Sequence, residues 1–161
     1  MARPIGVDLF SGAGGMSLGF EQAGFDVKAA VEIDPIHAAT HKFNFPDCAV
    51  LTKSVTEVSG GDVRRVAGIG DATVDVVFGG APCQGFSLIG QRALDDPRNS
   101  LVKDFVRLVV ELDATSFVFE NVKGLLRESF AKYFGYIVLQ LTYPGVIARK
   151  GEDWKEHLGR N

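Results

Sequence analysis

The chain contains few cysteines, and this scarcity excludes a secreted domain that is held together by disulfides. Cys48 and Cys83 are the two cysteines among 161 residues, too few for a disulfide framework, so a reducing interior is the default. Long apolar runs are also missing, and neither a signal peptide nor a membrane span is predicted. We therefore expect an intracellular protein without a membrane partner.

An excess of positive charge is missing as well. Lysine and arginine number 17 against 20 acidic residues, and the net charge of −3 lacks the electrostatic footprint of a nucleic-acid binder. Hydrophobic residues make up 46% and charged residues 23%, a composition that is typical of globular proteins and excludes extensive disorder. The length is that of one ordinary domain with a core of its own.

Apolar runs alternate with segments of helical periodicity, and this alternation predicts an α/β fold with a parallel sheet. Strands are predicted over residues 5–10, 27–33, 48–51, 74–78 and 116–119. Helices are predicted over residues 16–23, from Asp34-Pro35 onward, over 99–112 and over 124–141. Five strands leave one sheet edge unpaired. We therefore expect residues 1–143 to form a partial domain, incomplete at its carboxyl-terminal side, and residues 144–161 a tail or interrupted insertion.

The stretch VDLFSGAGGMSLGF predicts a strand, a glycine-rich turn and a helix, an arrangement that brings backbone close to a nucleotide-like ligand. Gly12 and Gly14 fit the dinucleotide fingerprint, but Ser17 occupies its third glycine position. Glu32 lies twenty residues after Gly12, a spacing suited to a carboxylate that accepts hydrogen bonds from ribose. A tight turn without a ligand is the alternative. Together the two features favour a nucleoside-containing cofactor without a pyrophosphate.

Cys83 lies in GGAPCQGFSLIG, directly after the fourth predicted strand. A free cysteine is more often a small buried hydrophobe. Here Pro82 fixes the backbone before the thiol and Gln84 begins a polar continuation, which favours a reactive cysteine. We expect Cys48, inside an apolar strand, to be a core residue.

Glu120 ends the fifth predicted strand. A surface position is the usual outcome for a glutamate, but the preceding residues are apolar, and we expect burial that lets Glu120 hold or donate a proton. Ligands of parallel α/β sheets bind at the carboxyl ends of the strands. Phe10, Glu32, Cys83 and Glu120 each follow or end a different strand, so we expect them on one rim.

Two histidines, His37 and His41, are four residues apart on one predicted helix, as in zinc proteases. No glutamate lies between them to act as a general base, and His157 is the one other histidine. We therefore expect no metal site.

Five segments resemble the DNA (cytosine-5) methyltransferase family in sequence, order and spacing. They are DLFSGAGGMSLGFEQAGF, VEIDPIHAATHKFNFP, GGAPCQGFSLIGQR, DDPRNSLVKDFVRLV and FVFENVKGLL. The resemblance covers residues 5 to 126, roughly, and the combination of segments is far more specific than any one of them. It implies the fold of an S-adenosylmethionine-dependent methyltransferase, a Rossmann-like parallel sheet with helices on both faces.

The resemblance implies S-adenosylmethionine as methyl donor, S-adenosylhomocysteine as product, and C5 of cytosine in duplex DNA as acceptor. Glu32 would hold the ribose, Ile33 would pack on the adenine and Leu101 would line the same pocket. Ser54 stands where the family often has an aspartate that contacts the adenine amino group. The loop around the cofactor would consist of Phe10, Ser11, Gly12, Ala13, Gly14 and Gly15.

The same resemblance implies Cys83 as the nucleophile that adds to C6 of cytosine, with Pro82 and Gln84 shaping its loop. Glu120 would engage the ring nitrogen N3, and the base would be flipped out of the duplex. We expect a cytoplasmic or nucleoid-associated protein.

The family's later arginine-x-arginine segment and its target-recognition domain have no counterpart in the sequence, in keeping with the non-basic charge. We expect a truncated or split chain that is inactive alone and needs a completing carboxyl-terminal polypeptide. Two alternatives stay open, a cytosine-5 methyltransferase of RNA and a catalytically silent cofactor-binding subunit. An NAD-binding module is disfavoured by Ser17.

Overall fold

A five-stranded parallel sheet forms the centre of the computed structural model, which describes residues 2–82, 101–146, 149, 152 and 154–160. The strands are β1 (Ile5–Leu9), β2 (Asp26–Glu32), β3 (Ala49–Thr52), β4 (Val76–Gly79) and β5 (Ser116–Phe119). Their order across the sheet is β3-β2-β1-β4-β5, and every neighbouring pair is parallel. The predicted parallel α/β fold is confirmed, and each predicted strand is present within two residues of its predicted bounds.

Helices connect the strands and cover the sheet. They are α1 (Gly15–Gln22), α2 (Pro35–Asn44), α3 (Gly60–Ala67), α4 (Leu101–Glu111), α5 (Ala131–Thr142) and α6 (Trp154–Arg160). The predicted start of α2 is confirmed, because the Asp34 side chain accepts hydrogen bonds from the amides of Ile36 and His37, and Pro35 is the first helical residue.

One predicted helix needs correction and one helix was missed. The helix predicted over 124–141 begins only at Ala131, because Lys123–Leu126 and Glu128–Phe130 are separate 3-10 turns, and Arg127 between them has an extended backbone. Helix α3 was not predicted. It begins at a reciprocal capping box, in which the side chains of Ser59 and Asp62 each accept from the other residue's backbone amide.

The core lies on both faces of the sheet, because alternate residues of the central strands point to opposite sides. On one face the strand residues pack with α3 and α4, and this cluster includes Val7, Leu9, Ala29, Val31, Val63, Val77, Phe105 and Leu108. On the other face they pack with α1, and this cluster includes Val27, Ala30, Cys48, Val76 and Phe78. Helices on both faces explain why apolar residues of the central strands are buried on both sides of the sheet.

A third cluster joins the end of the chain to the domain. It contains Val102, Leu125, Phe130, Tyr133, Tyr136 and Ile137, with Trp154 and Leu158 of α6 packed against it. None of the helices in the described ranges is both long enough and apolar enough to cross a membrane.

Candidate active site

The strand order reverses between β1 and β4, because the chain moves outward from β1 through β2 to β3 on one side and from β4 to β5 on the other. In open α/β sheets such a reversal leaves a crevice at the carboxyl ends of the strands, where ligands bind. Phe10 follows β1, Glu32 ends β2 and Glu120 follows β5. These predicted residues therefore lie on one rim, and Cys83, three residues after Gly80, lies outside the described residues together with Gln84.

A cavity of about 240 Å³ opens at this rim. It is lined by Phe10, Val31, Glu32, Ile33, Lys53, Ser54, Val55, Gly80, Pro82 and Leu101. The predicted cofactor residues Phe10, Glu32, Ile33, Ser54 and Leu101 thus come together, and Pro82 from the predicted catalytic loop joins them. The residues from Ser11 to Gly15 are not among those that line the cavity, and Glu120 is not either.

The Glu32 carboxylate is held in place by two backbone amides. Its Oε2 accepts from Gly12 at 2.8 Å and its Oε1 accepts from Asp34 at 2.8 Å. Only 9% of the residue is exposed. Each carboxylate oxygen has more than one lone-pair direction, so both oxygens can still accept a further hydrogen bond. Glu32 therefore offers two fixed acceptors to a ligand in the cavity.

The turn after β1 has a strained, left-handed backbone. Phe10, Gly12 and Gly14 have φ of 63°, 54° and 96°, and Phe10 is one of two non-glycine residues in the described chain with positive φ. The Ser11 amide donates to the carbonyl of Val31 at 3.1 Å. The buried Ser11 hydroxyl has no hydrogen-bond partner within the described part of the chain.

Ser54 is held near the cavity by a connection to α4. It caps the 3-10 turn Val55–Glu57, and its hydroxyl lies 2.8 Å from that of Thr56. The Arg107 guanidinium donates to the carbonyls of Val55 at 2.8 Å and Val58 at 3.1 Å. This anchoring fixes the segment that carries Ser54 and Val55 to the cavity wall.

A buried polar cluster beneath the turn was not predicted from the sequence. The Ser17 hydroxyl donates to Asp8 Oδ2 at 2.6 Å and lies 3.0 Å from Nε2 of His41. Burial raises the pKa of Asp8 to about 7 and lowers the pKa of His41. His37, one turn before His41, is exposed, so the two histidines do not share a site.

Glu120 is exposed, and the prediction that it is buried is wrong. It follows β5, which pairs only with β4 among the described strands, so apolar neighbours in sequence do not enclose it. Its backbone amide donates to the Gly79 carbonyl at 2.9 Å. A Cβ atom at Gly80 would lie 2.5 Å from Glu120 Oε2, so the carboxylate rests against a position that only glycine leaves open.

The prediction that Cys48 is a core residue is confirmed. Cys48 is 2% exposed, and burial raises the pKa of its thiol to about 12. A thiol in this state is a poor nucleophile, because the thiolate is the reactive form. Over the described residues, no group of three or more His, Cys, Asp or Glu side chains is arranged to hold a metal ion.

Comparison with known proteins matches residues 6–145 to the model of the C-5 cytosine-specific DNA methylase family. The Type II methyltransferase M.XorII of Xanthomonas oryzae is 70% identical over 125 residues, which are 78% of this chain and 30% of that protein. The Type II methyltransferase M.AquIA of Picosynechococcus is 41% identical over 150 residues, 92% of this chain and 60% of that protein.

The fold has a solved counterpart in an E. coli prophage-encoded protein that is described as a DNA modification methyltransferase. Its crystal structure matches with a TM-score of 0.73 and 39% identity over 86% of this chain and 38% of that chain. The chain therefore spans between 30% and 60% of the length of these relatives. By its sequence and its fold, the chain belongs to the C-5 cytosine-specific DNA methylase family.

Proposed function

We propose that the chain is the cofactor- and cysteine-bearing part of a DNA cytosine-5 methyltransferase that works through a covalent bond between Cys83 and cytosine. One observation carries this proposal. Pro82, the residue directly before Cys83, lines the same cavity as Glu32, the predicted ribose acceptor. The nucleophile and the methyl donor must act on the same base. Because Pro82 lies in the wall of the proposed cofactor pocket, the residue that follows it in sequence, Cys83, is attached directly to that wall.

The described residues fit S-adenosylmethionine. The two fixed oxygens of Glu32 suit the two hydroxyls of a ribose. Ile33 is 68% exposed and lines the cavity with Leu101, so both offer apolar surface to an adenine ring. When bound, this cofactor supplies a methyl group that its sulfonium makes electrophilic.

The chemistry that we assign to Cys83 follows from the weak nucleophilicity of C5 in cytosine. The Cys83 thiolate forms a bond to C6, and the electron pair of the C5–C6 double bond becomes available at C5. C5 would then take up the methyl group that the bound cofactor supplies, and the electron pair of the bond broken to that methyl group would leave with the cofactor. Loss of the C5 proton restores the double bond and expels the thiolate.

We assign Glu120 to the ring nitrogen N3 of the cytosine. A hydrogen bond or proton at N3 withdraws electron density from the ring and makes addition at C6 easier. The exposed Glu120 carboxylate beside Gly80 is accessible to a base that enters from solvent. A base inside a duplex exposes neither C6 nor N3, so it must be flipped out, which costs a few kcal/mol.

We infer that the chain alone does not methylate DNA. Flipping must be offset by contacts to phosphates and bases, and a chain of net charge −3 offers few of them. The relatives are longer, and we assign the remaining contacts to the part of their length that this chain does not match. A completing polypeptide would pair along the edge of β5, which has β4 as its single strand neighbour among the described residues.

A methyl-transfer assay tests this function. The chain and the carboxyl-terminal remainder of the Xanthomonas relative are incubated separately and together with tritiated S-adenosylmethionine and duplex DNA. We expect turnover only in the mixture, its loss with Cys83→Ala and nearly full retention with Cys48→Ala, which trims a buried thiol. Turnover by the chain alone would overturn the inference that it needs a second polypeptide. Comparable activity of the Cys83→Ala and Cys48→Ala variants would overturn the role of Cys83. The same assay with RNA of matched sequence in place of DNA tests the alternative of an RNA cytosine-5 methyltransferase, which the match to a DNA methylase family disfavours.

A further inference from the structure

Three polar side chains from three different elements meet beneath the glycine-rich turn. Asp8 on β1, Ser17 on α1 and His41 on α2 are 1%, 0% and 0% exposed. The Ser17 hydroxyl stands between the other two, 2.6 Å from Asp8 Oδ2 and 3.0 Å from His41 Nε2. Polar groups are costly to bury even when they are paired, so a cluster of three calls for an explanation beyond packing.

Ser17 occupies the position at which the dinucleotide fingerprint has its third glycine. The departure from that pattern supplies the hydroxyl that joins Asp8 to His41. A hydroxyl donates one hydrogen bond and accepts two, so Ser17 can donate to Asp8 while it accepts from an Nε2–H of His41. It is the one residue that contacts both of the others by a hydrogen bond in the described structure.

The His41 ring continues this connection to the cofactor loop. A Cβ atom at Gly14 would lie 3.0 Å from Cδ2 of His41 and 2.4 Å from Cε2 of Phe45. These two rings, with centroids 5.0 Å apart, therefore form the surface on which Gly14 rests. The Asn44 amide adds a hydrogen bond of 3.0 Å to the Ala13 carbonyl. Helix α2 thus supports the half of the loop that Glu32, bonded to Gly12, does not reach.

We propose that Asp8, Ser17 and His41 are positioning residues that hold the loop from Ser11 to Gly15 in its cofactor-binding shape. The proposal rests on the function proposed above. Without the Ser17 hydroxyl, the His41 ring loses its hydrogen bond to α1 and, through Ser17, its connection to Asp8 on β1. The ring on which Gly14 packs is then less well fixed. The loop then exchanges between shapes, of which only one places its backbone correctly. The apparent cofactor affinity is then the affinity of the binding-competent shape multiplied by the fraction of chains that adopt this shape.

The test is calorimetric titration of S-adenosylhomocysteine into the 161-residue chain, at a temperature at which circular dichroism shows every variant to be folded. We expect Ser17→Ala and His41→Leu to weaken binding about tenfold, the order of one intramolecular hydrogen bond. His41→Gln keeps an amide nitrogen near the place of Nε2 and should retain most of the affinity. Ile137→Val, in the separate cluster of α5, is the control for a general loss of stability.

Each outcome decides between the two proposals. Wild-type binding that Ser17→Ala leaves unchanged would overturn the positioning role and leave the proposed function standing. The positioning role is also overturned if Ile137→Val weakens binding as much as Ser17→Ala, because the effect would then be one of stability. A wild-type chain that binds neither S-adenosylhomocysteine nor S-adenosylmethionine would overturn the cofactor assignment, and the positioning role with it.

Discussion

The Glu32 carboxylate accepts a hydrogen bond of 2.8 Å from the backbone amide of Gly12, which lies twenty positions earlier in the chain. The spacing of these residues indicated a nucleoside cofactor, and in the fold they touch. The contact joins the end of β2 to the loop after β1, its neighbour in the sheet, and Glu32 and Phe10 at these two strand ends both line the cavity. It fixes the acceptor before any ligand arrives, which reduces the entropy lost on binding.

The first prediction concerns Glu32→Ala. We expect the affinity for S-adenosylhomocysteine to fall by roughly 1.5–3 kcal/mol, the range for hydrogen bonds to a charged group. Calorimetry measures the change, and Glu57→Ala, which removes an exposed carboxylate outside the cavity lining, is the control. An unchanged affinity of the Glu32 variant would refute its assignment as ribose acceptor.

The second prediction concerns Gly80→Ala. The added Cβ would lie 2.5 Å from Glu120 Oε2, so the carboxylate must rotate away from its present position. We expect the methyl-transfer rate of the completed enzyme to fall by about a hundredfold, the lower end of a general acid–base contribution. Gly135→Ala on α5, where a Cβ meets nothing within 4 Å, should leave the rate unchanged.

A double variant shows whether the Gly80 effect acts through Glu120. In a Glu120→Gln background, Gly80→Ala should cause little further loss, because the group that it displaces is already impaired. Fully multiplicative losses in the double variant would mean that Gly80 acts elsewhere, for example on the cavity that it also lines.

The third prediction concerns the pH dependence of stability. The pKa of Asp8 is about 7 in the fold, against an ordinary value of 3.8. Between these values the folded chain binds more protons than the unfolded one, so the Asp8 contribution is largest below pH 4 and is lost as the pH rises through 7. At 1.36 kcal/mol per pKa unit, the full change is about 4 kcal/mol as an upper bound.

Urea unfolding of wild-type and Asp8→Asn chains at a series of pH values measures this contribution. We expect the difference in free energy of unfolding, wild type minus variant, to decrease as the pH rises from 5 to 8 and then to level off. The asparagine keeps an acceptor for Ser17 but does not titrate, so it isolates Asp8 from other groups. The same difference at pH 5 and pH 8 would contradict a buried, neutralised carboxyl.

The sequence predicted features that depend on local patterns. The apolar runs marked all five strands, because strands of a parallel sheet that carries helices on both faces are mostly apolar. Asp34-Pro35 marked the start of α2 through its capping geometry. Helix α3 was missed because Gly60, Gly61 and two arginines weaken its apolar periodicity, although the Ser59–Asp62 capping box was readable in the sequence.

Features that depend on tertiary packing were not accessible in the same way. Asp8, Ser17 and His41 lie 9 and 24 positions apart, and only the tertiary fold brings these parts of β1, α1 and α2 together. The burial of Glu120 was wrongly expected because apolar residues precede it, whereas β5 has one strand neighbour in the described sheet. Local sequence does not say which strand will lie at an edge.

Peptide-mapping mass spectrometry is the most direct test of a covalent bond between Cys83 and cytosine, on which the proposed function depends. The chain and the carboxyl-terminal remainder of the Xanthomonas relative are incubated with S-adenosylmethionine and a duplex that carries 5-fluorocytosine, whose fluorine cannot leave as the C5 proton does. We predict a nucleotide adduct on the peptide that contains Cys83 and none on the peptide that contains Cys48. Unmodified Cys83 in a mixture that methylates the ordinary duplex would contradict the covalent mechanism.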